Sequence, residues 1–191
     1  MKGKTAERCE VYTMHGEPTG SLVSRERIHA EGLWHKTVHI WFCTNKGELV
    51  IQKRSATKKS HPGLWDISAA GHVDPEEQEV QASVREISEE LGVHVEEEEL
   101  GFIGSRNLSL TSNRGKYIDN EITFVYILLW KNTKKLSPNP EEVEAVRYIE
   151  IDAFRKALTD PRKSKYFVPH GHDYYSWIFD TVEKTLSSKD T

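Results

Sequence analysis

The segment GHVDPEEQEVQASVREISEELGV, Gly71 to Val93, limits what this chain can fold into more than any other stretch. Val80, Val84, Ile87 and Leu91 recur at steps of four, three and four, which return to one side of an α-helix and predict a buried face. Glu86, Glu89 and Glu90 fall on a different arc, so three carboxylates share one surface. Asp74 as N-cap, Pro75 at the first helical position and Glu77 three residues after the cap predict the start, and Gly92 predicts the stop.

This placement is unfavourable for stability alone. Each acid near the C-terminal end of the helix macrodipole costs roughly 0.3–1 kcal/mol, and like charges at four-residue spacing add roughly 0.2–0.5 kcal/mol. A divalent cation removes both penalties, and an all-oxygen ligand set suits magnesium or manganese better than zinc.

The 191 residues are enough for one well-buried core, and the net charge of -4 argues against a nucleic-acid-coating or membrane-surface protein. A small phosphorylated ligand needs only a local basic patch. No apolar run reaches the length of a membrane span, and the opening MKGKTAERCE lacks the apolar core of a signal peptide. Cys9 and Cys43 have neither metal-site nor redox spacing, and with these features predict a cytoplasmic protein. Oligomeric state is not fixed by the sequence; a homodimer is compatible with it.

Taken in order, Val11–Met14 and Ser21–Val23 flank a turn-rich HGEPTG and predict a hairpin, and Arg25 to Gly32 reads as loop. His35–Cys43 and Glu48–Arg54 read as paired strands, Leu64–Ala69 as a short strand, then Leu100–Leu110, Tyr117–Trp130 and Val143–Ile149 as further strands. Ile151–Leu158 and Tyr174–Leu186 read as helices. The order predicts an α/β/α arrangement with helices on both faces of a mixed sheet. Lys53, Arg54, Lys58 and Lys59 gather charge beside the SATKKSHPG loop, where they could hold phosphate oxygens. The acidic run Glu96 to Glu99 has no helical spacing onto a core and reads as solvated.

Gly71, Glu77, Arg85, Glu86, Ile87, Glu89, Glu90, Gly92 and Val93 fill every defined position of the Nudix box, which this segment resembles. The resemblance implies an α/β Nudix-type sandwich with a mixed sheet, one domain over 1–191, with 1–34 as an N-terminal β-hairpin extension and 71–93 as the box. It implies a Mg2+-dependent hydrolase, Mn2+ serving as well, that cleaves a diphosphate linkage in a nucleoside diphosphate derivative or related organic diphosphate. By the same resemblance Gly71, Glu86, Glu89 and Glu90 hold metal, Arg85 orients the acids, and Glu77 is structural. The general base is left between Glu86 and Glu121.

From His15 to Val73 the chain is also similar to isopentenyl-diphosphate isomerases and the Nudix hydrolases nearest them, through GEPTG, RIHAEGLWHKTVHIWF and GELVIQKRSATKKSHPGLWDISAAGH. That similarity implies metal ligation at His29, His35, His72, Asp119 and Glu121, and diphosphate contacts at Arg54 and Lys58. The isomerases carry a catalytic cysteine before the Gly-His pair, where this chain has Ala70. Its absence disfavours isomerisation, which needs an acid at carbon. A noncatalytic nucleotide sensor is the remaining alternative. His39, His61 and His94 receive no role, and His170 and His172 border either a pocket or the surface.

Overall fold

The computed structural model describes residues 8–131 and 134–187; the first seven residues of the MKGKTAERCE opening therefore lie outside the described residues. The predicted hairpin is present as β1 (Arg8–Tyr12) and β2 (Pro18–Ser24), paired antiparallel. A helix, α1 (Arg25–Glu31), follows where the sequence predicts loop. Ser24 caps it by accepting the Arg27 N–H, and Gly32 closes it in the left-handed region. Two helical turns are too short for an apolar period to show, so only the caps announce them.

The sheet is built around β3 (His35–Cys43), which runs parallel to β8 (Tyr117–Leu129); β8 in turn pairs antiparallel with β7 (Leu100–Ser112). β3 meets β4 (Glu48–Arg54) only at Phe42–Val50 and Cys43–Leu49, and then the two part. Where they diverge β4 pairs with β5 (Trp65–Asp66) and β3 with β6 (Ala69–His72), while β9 (Val143–Glu150) runs along β4. The single strand predicted over Leu64–Ala69 is thus two short ones joined across a fork. Ser68, fully buried, stitches the fork: its Oγ accepts the Phe42 N–H at 2.7 Å and donates to the Val50 carbonyl at 2.5 Å.

Helices cover both faces. α2 (Glu79–Leu91) packs Ala82, Ile87 and Leu91 against Val38, Ile40 and Phe42 of β3. α3 (Ile151–Thr159) and α4 (His172–Ser187) pack Phe154, Tyr174, Ile178 and Phe179 against Trp41 and Cys43, the alternate side chains of the same strand. α2 begins later than predicted. Gln78, not Asp74, is its N-cap, in a reciprocal box with Gln81, because Glu76 takes φ 67° and holds residues 74–78 in a turn. Gly92 ends it as expected, at φ 65°. Glu97–Glu99 form an exposed 3-10 turn, as their spacing predicts.

Candidate active site

β3 decides where polar chemistry can sit. Its odd residues share one face: Trp41 lies under α4, and His39, Thr37 and His35 continue that row toward the strand start. Thr37 is flanked by His72 of β6 and Thr123 of β8, and His39 by Ala70 and Val125. Over this row lies a cavity of about 80 Å³, lined also by Arg54, Lys58, His61, Asp66, Gly71, Tyr117, Asp119, Glu121 and His170. One water needs about 10–15 Å³ by the same measure, so several fit.

Gly71 and His72 present opposite faces of β6. On the Gly71 side lies α2. A Cβ on Gly71 would stand 2.0 Å from the Glu86 carboxyl carbon, so only glycine admits the acid here. The Glu86 side chain is 13% exposed and that of Glu90 4%, whereas Glu89 is turned outward at 58%. Glu90 accepts from Gln52 Nε2 at 2.9 Å and from the Ala70 N–H at 3.0 Å. Burial, and then the charge of Glu90, push Glu86 up to about 8; burial also raises Glu90, against the pull of Lys58.

Arg85 ties this group together. Its Nε and Nη2 donate to the two oxygens of Glu77 at 2.9 Å each, its Nη1 to Glu86 at 2.7 Å and Glu89 at 3.4 Å. Nη2 also donates to the His72 carbonyl at 2.8 Å, which fastens α2 to β6. Glu77 therefore serves Arg85.

On the His72 side stands a second cluster. His29 Nδ1 donates to the Arg25 carbonyl at 2.7 Å and His35 Nδ1 to the Leu33 carbonyl at 3.0 Å, since a carbonyl can only accept. Both Nε2 atoms then face Asp119 Oδ1, at 3.3 and 3.5 Å, and His72 Nε2 lies 3.2 Å from that of His29. Acceptors converging in this way are balanced by extra protons or by a cation. One nitrogen each of His29, His35 and His72 fall within 4.8 Å of one another, as do single ligand atoms of His35, Asp119 and Glu121. His35 Nε2 and Asp119 Oδ1 are buried without a hydrogen-bond partner, so the donor set fits a metal with the backbone carbonyls fixing the rings. Burial raises Asp119 but the His29 and His35 rings outweigh it and hold it low; burial and Asp119 push Glu121 well above the carboxylate range.

The basic residues expected to contact diphosphate line the cavity but already have protein partners. Arg54 Nη1 donates to Asp66 at 2.8 Å, and its Nε and Nη2 to the carbonyl and Oγ of Ser60. Lys58 contacts Glu142 and lies 3.9 Å from Glu90.

Two histidines that the sequence gave no firm place prove central. His39 and His170 lie edge to face with ring centroids 5.0 Å apart. His170, 6% exposed, donates Nε2–H to Asp66 at 2.7 Å, and His39 Nδ1 meets the Tyr174 hydroxyl at 2.7 Å. Burial, then the His170 ring, lower His39 to about 3, so it is neutral. No local pattern signals His170: its partner is 104 residues away.

The family model described as NUDIX domain matches residues 33–171. Among curated proteins, Nudix hydrolase 3 of Arabidopsis thaliana is 33% identical over 93% of this chain; the match spans only 23% of that protein's length. An isopentenyl-diphosphate Delta-isomerase of Escherichia coli is 29% identical over 80% of this chain and 81% of its own. Among solved structures, DR0079 from Deinococcus radiodurans superposes with a TM-score of 0.63 at 21% identity, over 93% of this chain and 98% of that one. With the box filled, its acids gathered on α2 and the family model matched over most of the sequence, the chain belongs to the Nudix hydrolase family.

Proposed function

We propose that this protein is a Mg2+-dependent hydrolase, Mn2+ also serving, that cleaves the diphosphate linkage of a nucleoside diphosphate derivative or related organic diphosphate. The observation that carries the reading is the Glu86 carboxyl seated against the bare Cα of Gly71, with Glu90 buried one turn on and accepting the Ala70 N–H, next to a polar cavity that Gly71 and Lys58 line. Two carboxylates pressed together at such cost fit a cation that neutralises both.

Glu86, Glu90, the Gly71 carbonyl and the more exposed Glu89 would hold the magnesium. The ion, when bound, neutralises diphosphate charge and lowers the pKa of a bound water. Arg85 keeps Glu86 aimed at β6, and Lys58, between Glu90 and Glu142, adds positive charge at the cavity wall. Glu121, which lines the cavity from β8, is the favoured general base outside the box. The test is a panel of nucleoside diphosphates, dinucleotides, nucleotide sugars and isoprenoid diphosphates incubated with magnesium, products identified by mass. Glu86→Gln and Glu90→Gln should each lower turnover by about 10²-fold or more at unchanged fold; full activity in both defeats the proposal.

A second reading is favoured by one observation, the His29, His35, His72, Asp119 and Glu121 cluster that isopentenyl-diphosphate isomerases share. Ala70 stands against it, since no thiol faces the cavity there. Deuterium exchange into isopentenyl diphosphate without phosphate release would replace the hydrolase reading with this one. Tight nucleotide binding without any product would favour a sensor.

A further inference from the structure

The row of odd residues on β3 passes from oil to water at His39, and hydrogen-bond donors on its core side determine which proton that ring carries. Trp41 Nε1, a donor only, lies 3.1 Å from the Tyr174 hydroxyl oxygen. That oxygen accepts the indole proton, and its one O–H is left for His39 Nδ1 at 2.7 Å. All three residues are buried, so each polar atom must find its partner within the protein. His39 is therefore the Nε2–H tautomer, and its N–H points along the row toward Glu121, whose Oε2 lies 3.9 Å away.

That separation is too long for a direct hydrogen bond. It matches a shared third atom: one oxygen can stand about 2.8 Å from both, with an angle of about 90° between them. His39 can only donate to this oxygen through Nε2, and the ionised form of Glu121 can only accept from it. An oxygen that accepts one hydrogen bond and donates another is a water or a hydroxyl. Thr123 Oγ1 touches the same Glu121 oxygen at 3.4 Å and helps fix its direction. The side chain facing His39 across the strand pair is Ala70, too small to fill the space or to compete for the N–H.

We propose that His39 is a catalytic residue that holds the attacking water between its Nε2–H and the Glu121 carboxylate. This rests on the hydrolase reading above. In the step, the water oxygen forms its bond to phosphorus, the ionised form of Glu121 takes the water proton, and the P–O bond of the linkage breaks with its electron pair leaving on the departing phosphate oxygen. His39 keeps its own proton throughout. It orients the water's lone pair by donating to the other one.

The arrangement is tested on the full chain in two ways. Long-range 1H–15N spectra, with His39 assigned through His39→Gln, should show an Nε2–H tautomer in the wild type and lose that preference in Tyr174→Phe. Steady-state kinetics on the diphosphate turned over by the wild type should show His39→Leu lowering kcat by about 10²-fold with KM within about twofold. His39→Gln, whose amide N–H can reach the same point, should recover kcat to within about tenfold of wild type. Melting temperatures identify any variant that fails to fold, and Tyr174→Phe then carries the kinetic comparison with an expected loss of about threefold to tenfold. An Nδ1–H tautomer in the wild type, or a folded His39→Leu with unchanged kcat, overturns the assignment. A wild type inert toward every diphosphate overturns the hydrolase reading itself, while the spectra still show whether the tautomer is set as described.

Discussion

Binding of a divalent ion at Glu86, as proposed above, should release a proton, because of what surrounds that residue. Its carboxyl is pushed up to about 8 by burial and by Glu90, so at neutral pH the metal-free protein carries a proton there. A divalent ion must displace that proton, and apparent affinity therefore rises with pH. For one group titrating near 8, the ionised fraction is about 1% at pH 6, about 10% at pH 7 and about half at pH 8. Magnesium affinity should accordingly climb about tenfold from pH 6 to 7 and about fivefold from 7 to 8, then level off. Glu90 is raised as well and steepens the slope. The sign for stability is opposite. A carboxyl raised in the folded state stabilises fully below its unfolded value near 4.5, and that contribution is lost as pH climbs through about 8. Metal-free protein should lose at most about 1.4 kcal/mol per pH unit across that window, and magnesium should restore it. Calorimetric titration with magnesium in buffers of different ionisation enthalpy measures both the affinity and the protons released. Identical pH slopes in wild type and Glu86→Gln would refute the reasoning.

Further outcomes follow from single contacts. Gly71→Ala forces the Glu86 carboxyl away from β6, and magnesium affinity should fall about tenfold or more while the melting temperature holds, read by titration and thermal melting. Arg85→Lys loses the planar fork that serves Glu77, Glu86 and the His72 carbonyl, and should destabilise by about 2–4 kcal/mol in denaturant unfolding. Ser68→Ala leaves the buried Phe42 N–H without a partner at the sheet fork and should cost about 1–3 kcal/mol, with KM unchanged.

The box and its helix were legible because their signals are local: a 3.6-residue apolar period, a left-handed glycine stop and fixed spacing of acids. The helix start was misplaced because Asp74, Pro75 and Glu77 imitate a cap while the Gln78–Gln81 pair makes the real one. α1 was missed for want of length. In the cavity, His29, His35 and His72 were readable only through resemblance, since they come from a helix and two strands that pairing alone brings together. His39 and His170 were not readable at all: what defines them is Tyr174 and Asp66, each more than a hundred positions away in the chain. Lys58 and Arg54 look identical in sequence to free surface cations, and only the fold supplies Glu142 and Asp66 as their partners.

The alternation along β3 fixes the length of the strand. Even positions Val38, Ile40 and Phe42 seal one layer, while His35, Thr37, His39 and Trp41 run from the polar cavity to the hydrophobic core on the other. Inserting or deleting one residue would exchange the two sets and ruin both layers at once. This strand therefore tolerates no change of length, whereas the connections at residues 55–64 and 160–171 border the cavity without setting its register.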